Sequence, residues 1–539
     1  MGLTAMLRRT FLAGGASSLA ASSLAKPAIA VSASSRVLKF IPQADLAGLD
    51  PHVSTAYVTR NHGYMVFDTL FGENGLHQIS PQMAAGHLIN DNGRTCRIIL
   101  REHLVFHDGE PVLARDCVAS IKRWAMRDPF GEALMDATDS IKAPDDRTIV
   151  FRLKRPFPLL TYALGKSTTY MPAIMPERLA MTDPFTEVKE VIGSGPFRFN
   201  AAERELGRLS TYSKFQEYTP RGDGIPNWTA GQKIALFDRV EWHTIGESDA
   251  AAEALTRGDM DWWDYVTPDQ VHPLRRNQNV DVTLQDPSGQ IGVMRLNHLN
   301  PPFDNPGIRR VLLAAIDQRE FMRAVTGGES TAWQSGVGVF CPGTTMENSG
   351  GLDLLNGKHD QNAYNKLKKD LLNAGYVGDP VVVLLASNLP AYKELGLVGI
   401  ETLRRCGFNV DIQSMDWSDV LERRNSRAPI DKGGWCVFFT GIAGTEMLNP
   451  PGHLNLRADG DAAWVGWPNS PKIEALRTKW LEQPNTPSQF SVAIEIQKQA
   501  MIDVPFIPLG LYLQMTAYRR NLAGVLNGFA LFWNVHRIT

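Results

Sequence analysis

From Arg239 onward the chain alternates between two hydrophobic periods, and that alternation limits its fold more than any other feature. "RVEWHTI" (239–245) reads as a strand. Ser248 and Asp249 stand where they can cap the helix "AAAEALTR", Gly258 suits its left-handed end, and "DMDWWDYV" returns as a strand. A second unit opens with "VVVLLAS", continues as a helix from Ala391 to Cys406, stops at Gly407 and returns with "FNVDIQ". In such units the helix buries its apolar face on the sheet that its flanking strands build. The expected class is therefore α/β, with partly parallel sheets. At 539 residues the chain exceeds what one hydrophobic core serves, so several domains or one large two-lobed body are expected.

The first third is mixed. "RVLKFIPQADLAGLDP" gives a short strand and a turn at Asp50-Pro51. "TCRIILREHLVF" alternates as a strand and leads to a hairpin-type turn at Asp108-Gly109. "ARDCVASIKRW" has helical spacing, with Val118, Ile121 and Trp124 on or near one face. "TIVFRLKRPFP" is a further strand, stopped by prolines. No solenoid-type repeat and no low-complexity linker interrupts the chain. Lobes without a linker are expected to be joined by crossing strands, which suits a hinge.

A net charge of −2 argues against a nucleic-acid or anionic-membrane surface as the main partner. Near the N-terminus, Arg8 and Arg9 stand in tandem before a weakly apolar run from Phe11 to Ala25, and "AIA" (28–30) offers small residues at cleavage spacing. This predicts a twin-arginine export signal over residues 1–30, cut after Ala30. The expected product is periplasmic and carries no lipid anchor there, because no cysteine precedes Cys96. The five cysteines form no CxxC pair and no zinc spacing. Buried thiols are expected, with at most one or two bridges.

Catalytic signatures are missing. There is no G-x-S-x-G elbow and no H-E-x-x-H. "LGKSTTY" has the tail of a phosphate loop, but Leu160 stands where its first glycine belongs. "GSGPFR" at Gly193 starts like a dinucleotide fingerprint, yet Arg198 occupies the third glycine's position. His107-Asp108 reads better as a hairpin turn than as a metal doublet. No catalytic residue, metal site or cofactor is expected.

In order along the chain, several blocks resemble one family. They are "VFDTLFGENGLHQISPQMAAG", "ILREHLVFHDGEPVLARDCVASIKRW", "GSGPFRF", "EALTRGDMDW", "LNHLNPPFDNPGIRRVLLAAIDQREFMRAVTGG", "YNKLKKDLLNAGY" and "IQKQAMIDVPFIPLGLYLQMTAYRRNLAGV". The chain resembles the periplasmic solute-binding proteins of ABC importers, family 5, the peptide/nickel-binding type. Local chemistry agrees with these blocks. Asp304 or Asn305 can cap a helix that Pro306 opens, and Asp317 with Glu320 suggests a second cap. The resemblance implies a two-lobed periplasmic-binding-protein fold (type II, large peptide-binding class) with a hinge of two crossing strands. It implies a first lobe of 36–287 plus 512–539, an extra subdomain within it over about 57–192, and a second lobe of 288–511. It implies capture without catalysis by a monomer, with ABC permease and ATPase subunits as partners.

It also implies a ligand pocket between the lobes. Trp417 in "SMDWSDVLERR" and Trp435 in "GGWCVFFTG" match two pocket tryptophans of peptide-binding relatives. Those relatives place an aspartate three residues after the second tryptophan, where its carboxylate holds a peptide's α-ammonium. Here that position is Phe438, and the next acid is Glu446. An ordinary peptide clamp is therefore absent. The solute is a peptide or peptide-like molecule held differently, or a non-peptide such as an opine, modified amino acid, sugar conjugate or metal chelate. Phe439 and Thr440 beside Phe438, then Ser54, Thr55 and Tyr57 from the first lobe, complete the expected contacts. Arg295 and His298, near the expected hinge crossing, are candidates for meeting a carboxylate. An exported enzyme on the same fold is the remaining reading.

Overall fold

In a computed structural model, residues 36–355 and 359–538 are described, and the expected export signal lies outside them. Two large sheets organise the chain. The seven-stranded sheet runs, in spatial order, Val280–Leu284, Met515–Arg519, Trp262–Val266, Val37–Ile41, Arg239–His243, Leu209–Lys214 and Phe197–Phe199. Val37–Ile41 pairs in parallel with both of its neighbours, and the outer pairs are antiparallel. The six-stranded sheet runs Trp333–Gln334, Ile507–Tyr512, Gln290–Leu296, Val437–Ala443, Pro380–Ala386 and Asn409–Met415. Its last three strands are parallel, as the strand–helix–strand pattern requires. The chain passes from one sheet to the other at 285–289 and returns at 513–514.

Local chemistry explains the elements that position these strands. The helices Ser248–Arg257 and Pro390–Cys406 both end on a glycine with positive φ, Gly258 at 85° and Gly407 at 95°. A left-handed residue turns the chain out of a helix without the steric cost a Cβ carries. Asn305 caps Pro306–Ala314 by accepting from the Gly307 N–H, and Asp317 caps Gln318–Val325 through Arg319 N–H. Two expected caps fail. Ser248 lies inside its helix, behind Glu247, which makes no side-chain cap bond. Glu320 does not close a capping box; its carboxylate pairs with Arg405 at 3.1 Å.

A separate four-stranded antiparallel sheet, Ala84–Asn90, Thr95–Leu100, Thr148–Leu153 and Thr138–Lys142, stands beside the seven-stranded one. Its core draws on residues from Leu70 to Ile174. The helix Tyr57–Val66 instead packs Val58, Tyr64, Met65 and Val66 into the core of the seven-stranded sheet. All five cysteines are free and buried. No described helix is long and apolar enough to cross a membrane.

Four histidines are locked neutral in these cores. Burial pushes His52 and His107 down to about 4 and His62 and His453 to about 3. The native state then binds fewer protons than the unfolded chain, whose histidines titrate near 6.5. Stability is complete above that value and is lost as pH falls through it towards the folded values. Asp264, raised by burial to about 6, works in the opposite sense. His298 is depressed as well, and the raised Asp286, Glu446, Glu187 and His77 join Asp264 in opposing the histidines. Each depressed histidine is expected to cost on the order of 2 kcal/mol of stability between pH 7 and pH 5, and the melting temperature is expected to fall over that range. A flat calorimetric profile over that range would contradict this account.

Candidate functional site

The strand Val437–Ala443 is buried along its whole length between Gln290–Leu296 and Pro380–Ala386. Its side chains alternate between the two faces of the sheet. Phe439 faces the helix Pro390–Cys406, where a Cβ on Gly399 would lie only 2.1 Å from the ring. Phe438 points the other way, 5.3 Å from the Trp435 ring and 5.9 Å from Trp464. Trp435 is completely buried, and its indole N–H donates to the Arg424 carbonyl at 3.0 Å. Its ring packs against Phe438 and, at 6.2 Å, Trp467, within the aromatic cluster that backs Arg424.

What Trp435 braces is the main feature of the site. The short helix Trp417–Arg423 is followed by Arg424 at its C-cap. Seven residues make about two helical turns, so Trp417 and Arg424 fall on one face. The Arg424 guanidinium carbon lies 5.7 Å from the Trp417 ring centroid, 5.5 Å from Phe438 and 5.0 Å from Trp464. Arg424 is 7% exposed, and no carboxylate among the described residues pairs with it. Its one side-chain hydrogen bond runs from Nη2 to Thr55 Oγ1 at 3.2 Å, and its buried Nε has no acceptor. Burial lowers its pKa to about 10, so it stays charged at neutral pH. Removing a guanidinium from water costs several kcal/mol, and each aromatic face returns about 2 kcal/mol when desolvated but supplies no hydrogen-bond acceptor for the N–H groups. A buried cation left short of hydrogen-bond acceptors marks a place where an anion fits. The run "SMDWSDVLERR" contained Arg424, but nothing in it distinguished this arginine from its neighbour. Arg423 instead donates to Gln413 and Gly434 on the second lobe's own surface.

Residues on the seven-stranded side meet this wall at three points. Thr55 accepts from Arg424, the Ala443 N–H donates to the Tyr57 hydroxyl at 2.6 Å, and the Thr169 N–H donates to Glu446 Oε1 at 3.2 Å. Ser54 shapes the same loop by accepting from the Ala56 N–H. Thr440 is buried, with its hydroxyl turned to the Gly441 carbonyl at 3.4 Å. Trp417 is half-buried and packs edge-on to Tyr392 at 4.8 Å. The segment "LGKSTTY", which mimics a phosphate loop, supplies Thr169 and, next to it, Tyr170, whose hydroxyl is close enough to Arg424 to feel its charge.

Arg295 and His298 are placed differently from the Arg424 cluster. Arg295 is fully buried and spends its donors on four backbone carbonyls, those of Val465, Asn455, Pro505 and Trp464. It also lies 5.2 Å from the Trp464 ring, so that ring is contacted by both Arg295 and Arg424. Burial, and then the charge of Arg424, pull Arg295 down to about 9. His298 follows the strand Gln290–Leu296, within the influence of Arg309 and Arg295, and burial holds it well below the usual imidazole range. The donors of Arg295 are thus directed at backbone, whereas the buried Nε2 of His298 has no hydrogen-bond partner among the described residues. Among the described residues no group of three His, Cys, Asp or Glu is arranged to hold a metal ion.

Residues 78–463 match the family model for bacterial extracellular solute-binding proteins, family 5. The chain is 32% identical over 541 residues to the probable peptide ABC transporter periplasmic-binding protein y4tO of Sinorhizobium fredii, covering 99% of this chain and 100% of the relative. Among solved structures, the binding protein AgaA from A. tumefacien R10, in complex with agropinic acid, superposes with a TM-score of 0.78 at 20% identity, covering 93% of this chain and 99% of its own. The periplasmic binding protein DppA of Helicobacter pylori, in complex with the peptide STSA, gives 0.76 at 21% identity, covering 93% and 98%. These likenesses establish a two-lobed α/β binding-protein fold.

Trp435 provides the test of this geometry. Replacing it with Ala is expected to cost about 3–5 kcal/mol of stability in a denaturant titration, the range for a fully buried aromatic. A variant as stable as the parent, with weakened solute binding, would instead place Trp435 at the surface of the wall.

Proposed function

The chain belongs to family 5 of the bacterial extracellular solute-binding proteins of ABC importers, and from that premise we propose that it captures a small, carboxylate-bearing, peptide-like solute between its lobes. Arg424 carries this reading. It is a buried, charged guanidinium without a counter-ion, placed where the Thr55 loop of one lobe meets the aromatic wall of the other. A solute carboxylate takes the donors that Thr55 leaves unused, and Trp417 and Phe438 flank it as apolar walls. Ser54, Tyr57, Phe439 and Thr440 act by holding that frame. Arg295 and His298, proposed from the sequence as direct contacts, serve as its support.

The remaining steps are capture and delivery, without turnover. The passages at 285–289 and 513–514, each between two strands, serve as the two hinge segments between a first lobe of about 36–287 plus 513–538 and a second lobe of about 288–512. The small four-stranded sheet belongs to the extra subdomain of the first lobe. A solute that contacts both lobes favours the closed form by its differential affinity. In that form the protein delivers its cargo to an ABC permease, after export by the twin-arginine signal and release into the periplasm as a monomer. The non-peptide alternative rests on Phe438. With no acid at that position, an opine or a modified amino acid anchored through its carboxylate fits as well as a dipeptide.

Small molecules released from the purified protein and identified by mass spectrometry are expected to carry a carboxylate. In titration calorimetry with that compound, Arg424→Gln is expected to weaken binding by about 2–5 kcal/mol, the cost of truncating one partner of a buried charge pair. The free variant should melt at the parent's temperature or above, because the substitution removes a buried charge that has no counter-ion. Release of only uncharged or cationic molecules would overturn the reading.

A further inference from the structure

A second arginine, on the first lobe, shares two neighbours with Arg424. Arg127 lies just beyond the helix Ala114–Ala125 and is half-buried. Its guanidinium carbon stands 5.6 Å from the Tyr170 ring centroid and 4.7 Å from that of Phe185. Its buried Nε has no acceptor, and its Nη2 lies a long 3.5 Å from the Val53 carbonyl. Its reach extends to the Tyr170 hydroxyl, which is a neutral group. No carboxylate among the described residues pairs with it. Asp128, the next residue, is already engaged: it accepts from the Phe130 and Gly131 N–H groups and pairs with Lys166. Arg127 is thus, like Arg424 and unlike Arg295, a cation with too few acceptors.

The first shared neighbour is the loop at 53–55. Arg127 approaches the Val53 carbonyl, and Arg424 donates to Thr55 Oγ1 at 3.2 Å. Two residues of chain span at most about 7 Å. The second shared neighbour is Tyr170. Burial raises the pKa of its hydroxyl, and the charges of Arg127 and Arg424 pull against that rise. Asp128 is the other charge acting there, and Lys166 offsets it. Trp124 fixes Arg127 and Tyr170 together. Its carbonyl accepts from the Arg127 N–H at 2.9 Å, and its indole N–H donates to the Tyr170 carbonyl at 2.7 Å. Tyr170 also holds a left-handed backbone, with φ at 49°. An aromatic residue keeps that conformation only where its surroundings impose it, and such positions concentrate at ligand sites.

We propose that Arg127 and Arg424 form one anion site divided between the lobes, so that the solute carries two anionic groups and is a dicarboxylate. This rests on the reading that Arg424 takes one carboxylate, and it adds a second that the reading does not require. Closure brings two incompletely paired cations to one loop and one tyrosine. A single carboxylate neutralises one of them. A dicarboxylate neutralises both, and it favours the closed form by the larger differential affinity. Each guanidinium offers a planar fork that matches a carboxylate, and the Tyr170 hydroxyl, kept neutral by burial, adds a donor beside them.

The test uses the full chain and four probe mixtures. These are dipeptides containing one Gln or Asn, the same dipeptides with Glu or Asp in that place, the Gln/Asn set C-amidated, and N-carboxyalkyl amino acids, which carry two carboxylates without a peptide bond. Calorimetry and thermal shift are read for the parent, Arg127→Gln, Arg127→Lys and Arg424→Gln. The parent is expected to bind at least one dicarboxylate mixture tenfold or more tighter than the Gln/Asn set. Arg127→Gln should lose that preference and keep its affinity for the Gln/Asn set. Arg127→Lys, which retains the charge, should recover part of the preference, and Arg424→Gln should weaken binding of every free acid. Equal affinity of the parent for dicarboxylates and the Gln/Asn set, or an undiminished preference in Arg127→Gln, overturns the assignment of Arg127 and leaves the Arg424 reading standing. A parent that binds the C-amidated set as tightly as the free acids overturns the Arg424 reading instead, and binding of none of the mixtures overturns both.

Discussion

A guanidinium held against three aromatic faces without a counter-ion is the interaction on which the cleft's chemistry depends. Arg424 is costly where it stands. Desolvation penalises its charge by several kcal/mol, and neither the rings nor the single bond to Thr55 replaces a full shell of acceptors. A fold tolerates such a group only when the surroundings leave it no alternative position. Trp435 supplies that constraint by holding the Arg424 carbonyl from behind, and Phe438 and Trp464 fill the space into which the side chain would otherwise relax.

The second lobe is built to keep that arrangement rigid. Arg295, directly across the strand pair from Phe438, ties four backbone carbonyls from three separate segments to the centre of the six-stranded sheet. One of these carbonyls belongs to Trp464, whose ring lies against Arg424. The two arginines thus have opposite roles despite similar burial. Arg295 has its donors satisfied by the protein and fixes structure. Arg424 keeps donors free, which is why it is proposed to meet the solute. The difference lies in how many acceptors each one finds, and burial alone does not reveal it.

The same distinction explains what the sequence made legible. Strand and helix periods, the glycine stops at Gly258 and Gly407 and the caps at Asn305 and Asp317 are local, and each could be read from a few neighbouring residues. Contacts across the cleft are not local. Thr169 and Glu446 are 277 positions apart, Thr55 and Arg424 369, and Tyr57 and Ala443 386. No period encodes such a meeting. Pattern matching singled out the strand that carries Phe438, but the hydrogen bond from the Trp435 indole to the Arg424 carbonyl could not be read from it. It offered Arg295 and His298 as ligand contacts because they are polar residues on or beside a central strand. It left Arg424 unnoticed because a charged residue at a helix end usually faces water. "LGKSTTY" was rejected for the correct reason, since it lacks the phosphate-loop glycine, and still turned out to line the cleft.

Phe438 and Arg424 are best understood together. An acid at position 438 would stand beside the guanidinium, pair with it and consume the charge that the cleft otherwise offers to a solute. A phenyl ring in its place keeps the cation desolvated and lets it remain unneutralised by the protein. The loss of the carboxylate at 438 and the presence of a free guanidinium next to it are thus one electrostatic choice. In the proposed function the compensating negative charge arrives with the ligand. A solute bearing a carboxylate meets that requirement on closure, when it touches the aromatic wall of one lobe and the Thr55 loop of the other. The open form cannot supply both contacts at once, and that difference is what makes such a solute favour closure.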